Sequence, residues 1–349
     1  VLLASRAPGG GLKTIACYGV PPTSNAPVID GRLDDACWAA APATETYYVY
    51  WKPDPGQGKL STRLRMVYDA NGIYLAIENL ESNMPEIRAR MTARDSANLW
   101  QDDCAEIYFD PAGASIGYSR FVINPLGTQG DSRRIDAAVT LPDWNGTAWM
   151  ARTAKRDDAW TIEARFPWGD LGAEAKPGDL WRFTHVRYAY ATGKFVGVTW
   201  SPGGNYMSPQ NFGYLHFLPE PTADPKVSGS LLADRVSPPW QCPVGNGFLV
   251  CRQKGSIEWL AASTLLQNAT DKYAAVVARA ENVLASIKGE ERSELTKKLT
   301  AIGKEAELPS PAAATPLQAA DGARKLDAIK LNVDEVYWQG RILHLMQSL

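Results

Sequence analysis

From residue 28 to 219, short runs alternate apolar and polar side chains and are broken by Gly, Pro, Asn and Asp. A period of two puts successive side chains on opposite faces of a strand, so the region reads as an antiparallel sheet protein. In AWTIEARFP, Trp160, Ile162, Ala164 and Phe166 take one face while Thr161, Glu163 and Arg165 take the other. STRLRMVYD, then NG, then IYLAIEN predicts a hairpin with Asn71-Gly72 as its turn. Further strands are predicted over 104–109, 118–124, 149–155, 159–166, 181–190, 196–200 and 213–218, spaced as in a sandwich with no long helix between them.

The pattern then changes. FLPEPTADPKVSGS, at 217–230, is rich in proline and small polar residues and marks a boundary. From 256 onward the apolar spacing becomes helical: Tyr273, Val276, Val277, Ala280, Val283, Leu284 and Ile287 recur at three and four residues and stop near Gly289. Leu295, Leu299 and Ile302 mark a shorter helix, and after the loop LPSPAAATP a third stripe runs over 317–347. The expected organisation is a leader over 1–26, a mainly β sandwich over 27–219, a linker over 220–255, and a C-terminal helical hairpin or small bundle over 256–349.

Composition narrows the function classes. Thirty-six Lys and Arg stand against 38 Asp and Glu, a balance that argues against nucleic-acid and anionic-membrane binding. No stretch approaches the roughly 20 apolar residues that span a bilayer. The five cysteines show no CxxC pair and no zinc spacing to histidine; Cys242 and Cys251 could close a small loop, which would place the protein outside the reducing cytoplasm. VLLASRAPGGG lacks a methionine and reads as the tail of a processed signal region or as a flexible leader. Nine of the 12 tryptophans precede residue 219, more than a core of that size requires; most are expected to pack in the core or at edges, and no more than one or two to be exposed for work.

The stretch NLWQDDCAEIYFDP, at 98–111, concentrates candidate chemistry. Alternation puts Ile107 and Phe109 on one face and Cys104, Glu106 and Tyr108 on the other. Asp102, Asp103 and Glu106 match a glycosidase's paired carboxylates by type, but nothing fixes their separation. Sugar recognition asks less: an aromatic ring covers the apolar face of a pyranose, and carboxylate, amide and guanidinium groups bond its hydroxyls.

Seven segments, PVIDGRLDDACWAAAP, YDANGIYLAIE, LWQDDCAEIYFDP, YSRFVINPLG, WTIEARFPWGDLG, GDLWRFTHVRY and TWSPGGNYMSPQNFGYLHF, resemble in the same order the family 9 carbohydrate-binding modules. The resemblance covers about 190 residues between 27 and 219 and leaves the helical tail uncovered. It implies a non-catalytic, DOMON-like β-sandwich, often attached to extracellular glycoside hydrolases and often holding structural calcium. It further implies a sugar held between two tryptophans, with a glutamate, an arginine and asparagines on its hydroxyls. The first tryptophan falls on Trp100, the glutamate on Glu106 and one asparagine on Asn124. The arginine position is Val122, with Arg120 two residues earlier on the same face; the second tryptophan becomes Tyr206, and a further asparagine becomes Gly203, with Asn205 nearby. The opening IDG-x-L-DD-x-x-W implies that Trp38 packs under the sandwich and that Asp30, Asp34 and Asp35 are turn or calcium-site carboxylates.

The reading is therefore an extracellular or periplasmic, non-catalytic carbohydrate-binding protein, a module of or partner to a glycoside hydrolase, using Trp100, Tyr206, Glu106, Asn124 and Arg120. Its rival is an interaction module with a degraded site, whose helices over 256–349 dock a protein partner or form an oligomer. A haem-binding sandwich would need axial ligands from His185, His216, Met66, Met84, Met91, Met150 or Met207, and no haem is expected.

Overall fold

The structure, a computed structural model, describes residues 12–51, 58–136, 139–141, 143–222 and 224–349. Residues 1–11 of the expected leader lie outside the described residues. The chain divides into two compact units, Thr14–Cys242 with Arg252–Ser256, and Pro243–Cys251 with Ile257–Leu349. Along the chain the first elements are β1 (Lys13–Thr14), β2 (Cys17–Val20), α1 (Ala36–Ala40), β3 (Tyr48–Val49), β4 (Thr62–Asp69), β5 (Gly72–Leu80) and β6 (Cys104–Asp110). Next come β7 (Tyr118–Ile123), β8 (Gln129–Arg134), β9 (Thr140–Leu141), β10 (Met150–Lys155), β11 (Ala159–Pro167) and α2 (Trp168–Leu171). Then follow β12 (Leu180–Ala189), β13 (Val196–Thr199), β14 (Gly213–Phe217), α3 (Gly229–Arg235) and β15 (Trp240–Val244).

Two sheets face each other in the first unit. One has the antiparallel order β10-β11-β5-β4. The other runs β2-β14-β12-β6-β7-β8-β9, with β13 beside β12 and β3 beside β13, nine strands among the described residues. The apolar positions of the period-two pattern meet between them: Leu64, Met66, Leu75, Ile77, Ile162 and Phe166 from the first sheet pack against Ile107, Phe109, Phe121, Phe183 and Leu215 from the second. Phe166 touches three aromatic neighbours across this core, with ring centroids 4.7 Å from Phe121, 5.3 Å from Phe109 and 5.6 Å from Trp149. This is a β-sandwich, as the alternation predicts.

The departures have physical causes. Asp69 pairs with Gly72, so Ala70 and Asn71 form the hairpin loop and Gly72 opens the next strand. A Cβ at Gly72 would lie 2.3 Å from the Phe166 carbonyl oxygen, so the glycine serves a close backbone approach rather than the turn. The loop is closed instead by the Asp69 carboxylate, whose Oδ1 accepts the Asn71 and Gly72 N–H groups at 2.7 and 3.2 Å. Residues 17–20, inside the expected leader, form β2, and they pair in parallel with β14. QGDSRR carries no alternation yet forms β8, because its backbone completes the ladder of β7.

Glu163 and Thr161 do alternate away from the core, but that face is covered. Thr161 Oγ1 donates to the Gly31 carbonyl at 2.6 Å, and Glu163 accepts N–H groups from Asp30 at 3.1 Å, Gly31 at 2.9 Å and the Trp38 indole at 2.8 Å. Trp38 itself packs with Val67, Tyr74 and Ala76 on this outer surface. One buried carboxylate thus fastens the IDG turn across the sheet.

The stretch expected as a linker contains α3 and β15, followed by β16 (Gly247–Cys251). In the second unit β16 pairs antiparallel with β17 (Glu258–Ala261), so helix begins at residue 262 rather than 256. Three helices follow: α4 (Ala262–Ala285), α5 (Glu290–Glu305) and α6 (Pro316–Ser348). Pro316 opens α6 behind Thr315, which forms a reciprocal capping box with Gln318. Ala280, Leu284, Ile287, Leu295, Leu299, Ile302, Ile329, Val333 and Val336 make a separate core, the stripes of the sequence brought together. Among the described residues no helix is long and apolar enough to cross a membrane.

Candidate functional site

The outer face of the nine-stranded sheet carries the polar half of β6. Ala105, Ile107 and Phe109 enter the core, leaving Cys104, Glu106 and Tyr108 on the far side. Glu106 stands opposite Val122 on β7 and Val186 on β12, an apolar setting for a carboxylate. Its partner comes diagonally. Arg120 faces Tyr108 in the register and reaches back so that Nη2 donates to Glu106 Oε1 at 2.6 Å and Nε to Oε2 at 3.2 Å. The Tyr108 hydroxyl donates to the same Oε2. A two-pronged guanidinium pair of this kind is among the strongest charge-assisted contacts, and it is what allows Glu106 to be buried. Burial opposes the Arg120 charge, yet Glu106 and Tyr108 hold its pKa well above the usual guanidinium value. Arg120 is the member that reaches solvent, its side chain 28% exposed against 2% for Glu106.

Trp100 heads this strand on a 3-10 turn, Leu99–Gln101, with Leu99 buried and the indole 47% exposed. The turn is anchored from behind by the two aspartates that follow. Asp102 Oδ2 accepts the N–H groups of Arg90 and Met91 at 2.9 and 2.8 Å, and Asp103 accepts those of Arg88 and Tyr190 at 2.8 and 3.1 Å. Burial raises the Asp103 carboxyl. Asn124 belongs to the same brace. Its Nδ2 donates to Met91 O and Asp102 Oδ2 at 2.8 and 2.9 Å, and its Oδ1 accepts from Leu126 and Thr128, both at 3.0 Å. All four hydrogen-bonding directions of that amide are used inside the protein, so Asn124 holds the loop.

Tyr206 is 5% exposed. Tyr50, Trp51 and Tyr108 enclose its ring at centroid distances of 5.2, 5.6 and 5.8 Å, and its hydroxyl bonds that of Tyr188. Burial, with Glu106 next, pushes the Tyr188 and Tyr206 hydroxyls far above the ordinary phenol value. Gly203 adopts φ +123°, and a Cβ there would lie 3.2 Å from the Asn211 side chain, which itself donates to Asn205 O at 2.9 Å. The position expected to be polar at 203 is thus a glycine whose backbone and missing Cβ leave room for the Asn211 side chain.

Exposed rings lie beside the enclosed one. Trp51 is 42% exposed and Phe195 43%. Tyr50 touches both, with centroids 5.4 Å from Trp51 and 5.3 Å from Phe195. Tyr190 is 5.4 Å from Phe195, and its hydroxyl donates to the Trp100 carbonyl at 3.1 Å. Sequence reasoning passed over these residues; the aromatic run YYVYW at 47–51 was the available signal.

The remaining candidates take other roles. On the core face of β12, His185 Nδ1 bonds the Tyr47 hydroxyl at 2.7 Å, and burial with the nearby Arg187 charge pushes its pKa down to about 3. Arg187 is pushed down to about 10 by burial, pairs with Glu81 at 3.3 Å and donates to the Ser61 carbonyl at 2.9 Å. His216 Nδ1 bonds Ser228 Oγ at 2.9 Å. Asp30 and Asp34 each lie 3.4 Å from Arg32, and Asp30 Oδ1 also accepts the Arg32 N–H. Among the described residues no three His, Cys, Asp or Glu side chains gather as metal ligands. The Arg32 guanidinium thus engages this acidic turn.

A two-sheet sandwich with a braced, aromatic-rimmed outer face defines a class of binding domain. The chain belongs to the carbohydrate family 9 binding domain-like family, whose model matches residues 29–218. The matched family is one of binding domains, not catalytic ones. The chain is 25% identical over 228 residues to endo-1,4-beta-xylanase A of Thermotoga maritima, a match covering 60% of this chain and 18% of that protein. It therefore spans under a fifth of that curated relative. Two solved structures of a family 9 carbohydrate-binding module from Caldicellulosiruptor kristjanssonii, in complex with glucose and with cellotriose, are 16% identical to it. They have TM-scores of 0.44 and 0.43, cover 58% and 59% of this chain, and are themselves covered at 95% and 94%.

Proposed function

We infer that the sandwich binds carbohydrate without transforming it, through the outer face of the nine-stranded sheet. The observation that carries this is Trp100: a half-exposed indole on a turn fixed by two buried aspartates, heading the strand that holds the Glu106–Arg120 pair. An exposed ring held rigidly loses little entropy on stacking against a pyranose. Arg120 supplies donors for hydroxyls from the partly exposed end of the pair, and Glu106 with Tyr108 fixes its direction. Family membership supports the ligand class. The same reading makes the domain an extracellular or periplasmic companion of glycoside-hydrolase activity, which fractionation of the producing cells would test.

Calorimetric titration with glucose, cellotriose and xylotriose tests the reading. Saturable binding is expected in the wild type, and Trp100→Ala should weaken it at least about tenfold, the equivalent of 1.4 kcal/mol. Absence of binding to every saccharide would remove it.

A second reading is favoured by one feature of the helical unit. Leu331, Trp338, Ile342, Leu345 and Met346 on α6 are each more than half exposed. A second copy covering this face would make the protein a dimer, and a monomer mass by light scattering at high concentration would dismiss that reading.

A further inference from the structure

Resting on the carbohydrate reading, we propose that the ligand is an oligosaccharide chain lying along a ridge of exposed rings, Trp51, Phe195 and Trp100, rather than one terminal sugar clamped between two slabs. A clamp needs two free aromatic faces. Tyr206, the ring in position to be the second slab, is enclosed by Tyr50, Trp51 and Tyr108 and is 5% exposed. Its area has been moved into the interior of the outer face.

Exposed rings lie beside it, joined through Tyr50 and Tyr190. Trp51 and Phe195, 42% and 43% exposed, flank the ring of Tyr50 at 5.4 and 5.3 Å. Tyr190 continues from Phe195 at 5.4 Å and ties to the Trp100 backbone through its hydroxyl at 3.1 Å. The exposed rings are joined through Tyr50 and Tyr190 rather than stacked on one another, so a ligand that meets more than one of them must extend beyond a single sugar. Repetition of exposed platforms rewards ligand length, whereas a closed slot does not.

Trp51 carries a second, independent mark. Its φ is +59°, the left-handed region that a bulky side chain occupies at a cost of about 1–3 kcal/mol. Glycine would hold that backbone without strain, so the indole sits there at an energetic cost. Arg88, whose guanidinium lies 4.3 Å over the Tyr190 ring and donates to the Gln101 carbonyl at 3.4 Å, gives the ridge a charged donor between Phe195 and Trp100.

The test compares glucose, cellotriose, cellohexaose, xylohexaose and mannohexaose by calorimetry on the full chain. Variants are Trp51→Gly, Trp51→Phe, Phe195→Ala and Trp100→Ala, with Trp259→Ala as a control exposed in the other unit. Affinity should climb with chain length in the wild type and the control. Trp51→Gly and Phe195→Ala should each lower hexasaccharide affinity about tenfold, a stacking contribution of about 1.4 kcal/mol, and flatten the length dependence. Trp51→Phe, which keeps a ring, should restore much of the loss, and thermal melts report whether each variant is folded. Equal affinity for glucose and hexasaccharide, or full hexasaccharide binding by Trp51→Gly while Trp100→Ala loses it, would overturn the ridge and leave carbohydrate binding standing. No binding to any of the five would defeat the carbohydrate reading and the ridge with it.

Discussion

Glu163 shows how much one side chain can carry. It lies in the middle of β11, fully buried, and satisfies three N–H groups from a segment over 120 residues earlier in the chain. Glu163→Ala would leave the Gly31 N–H and the Trp38 indole N–H unpaired, while Asp30 keeps the Val28 carbonyl, and a loss of about 3 kcal/mol in urea unfolding is expected, since each buried orphan costs about 1–3 kcal/mol. Burial, opposed by those three N–H donors, moves its pKa up from 4.5 to about 7. The folded state therefore keeps a proton that the unfolded chain has released between pH 4.5 and 7, and this group's contribution to stability falls as pH rises through that window. Glu163→Gln cannot titrate, so its stability measured against pH should lack that descending part; an identical profile in both proteins would show that Glu163 is ionised throughout. Alternation told which way Glu163 points, but not that another segment would lie on it. The same gap explains Tyr206 and Asn124: their sequence positions match a binding site, but the rings that enclose Tyr206 and the four internal hydrogen bonds of Asn124 are tertiary facts.

Elements were more legible than residues. The strands from β4 to β14 with clear alternation, and all three long helices, follow the apolar spacing; those without it, β8 above all, exist because a neighbour's backbone needed a partner. Glycines inside elements are where close approach is decided. On α6, a Cβ at Gly340 would lie 2.9 Å from Val283 Cγ1 and 3.4 Å from Ile287 Cδ1 on the other side of the helical core. Alanine at 340 exchanges a small displacement of Val283 for about 1 kcal/mol of helix propensity and should be nearly neutral. Leucine must force α4 and α6 apart, and Gly340→Leu is expected to cost about 1–3 kcal/mol in the far-ultraviolet circular-dichroism melt of the helices.

At the scale of the whole molecule, each unit encloses its own hydrophobic core, one between two sheets and one among three helices. Phe121→Ala should destabilise the sandwich by about 3–5 kcal/mol and lower the aromatic, near-ultraviolet transition while the helical signal keeps its midpoint. A common shift of both signals would show a single cooperative unit. That two-part plan could be read from the change of period near residue 256, and the ordered motifs of residues 27–219 were specific enough to name the family. The ends of the sandwich were hidden, because a four-residue strand at a sheet edge leaves almost no periodic trace.

That edge strand bears on how the protein is made. Residues 17–20 are made long before their hydrogen-bonding partners, residues 214–217, the last strand of the same sheet. Until those are synthesised, β2 has no strand to pair with. An unmatched strand on a nascent chain is open to pairing with another polypeptide. The sandwich is therefore sealed late, by the meeting of β2 with its last strand, and a ribosome stalled before residue 214 would hold a chain whose β2 is still waiting for its partner.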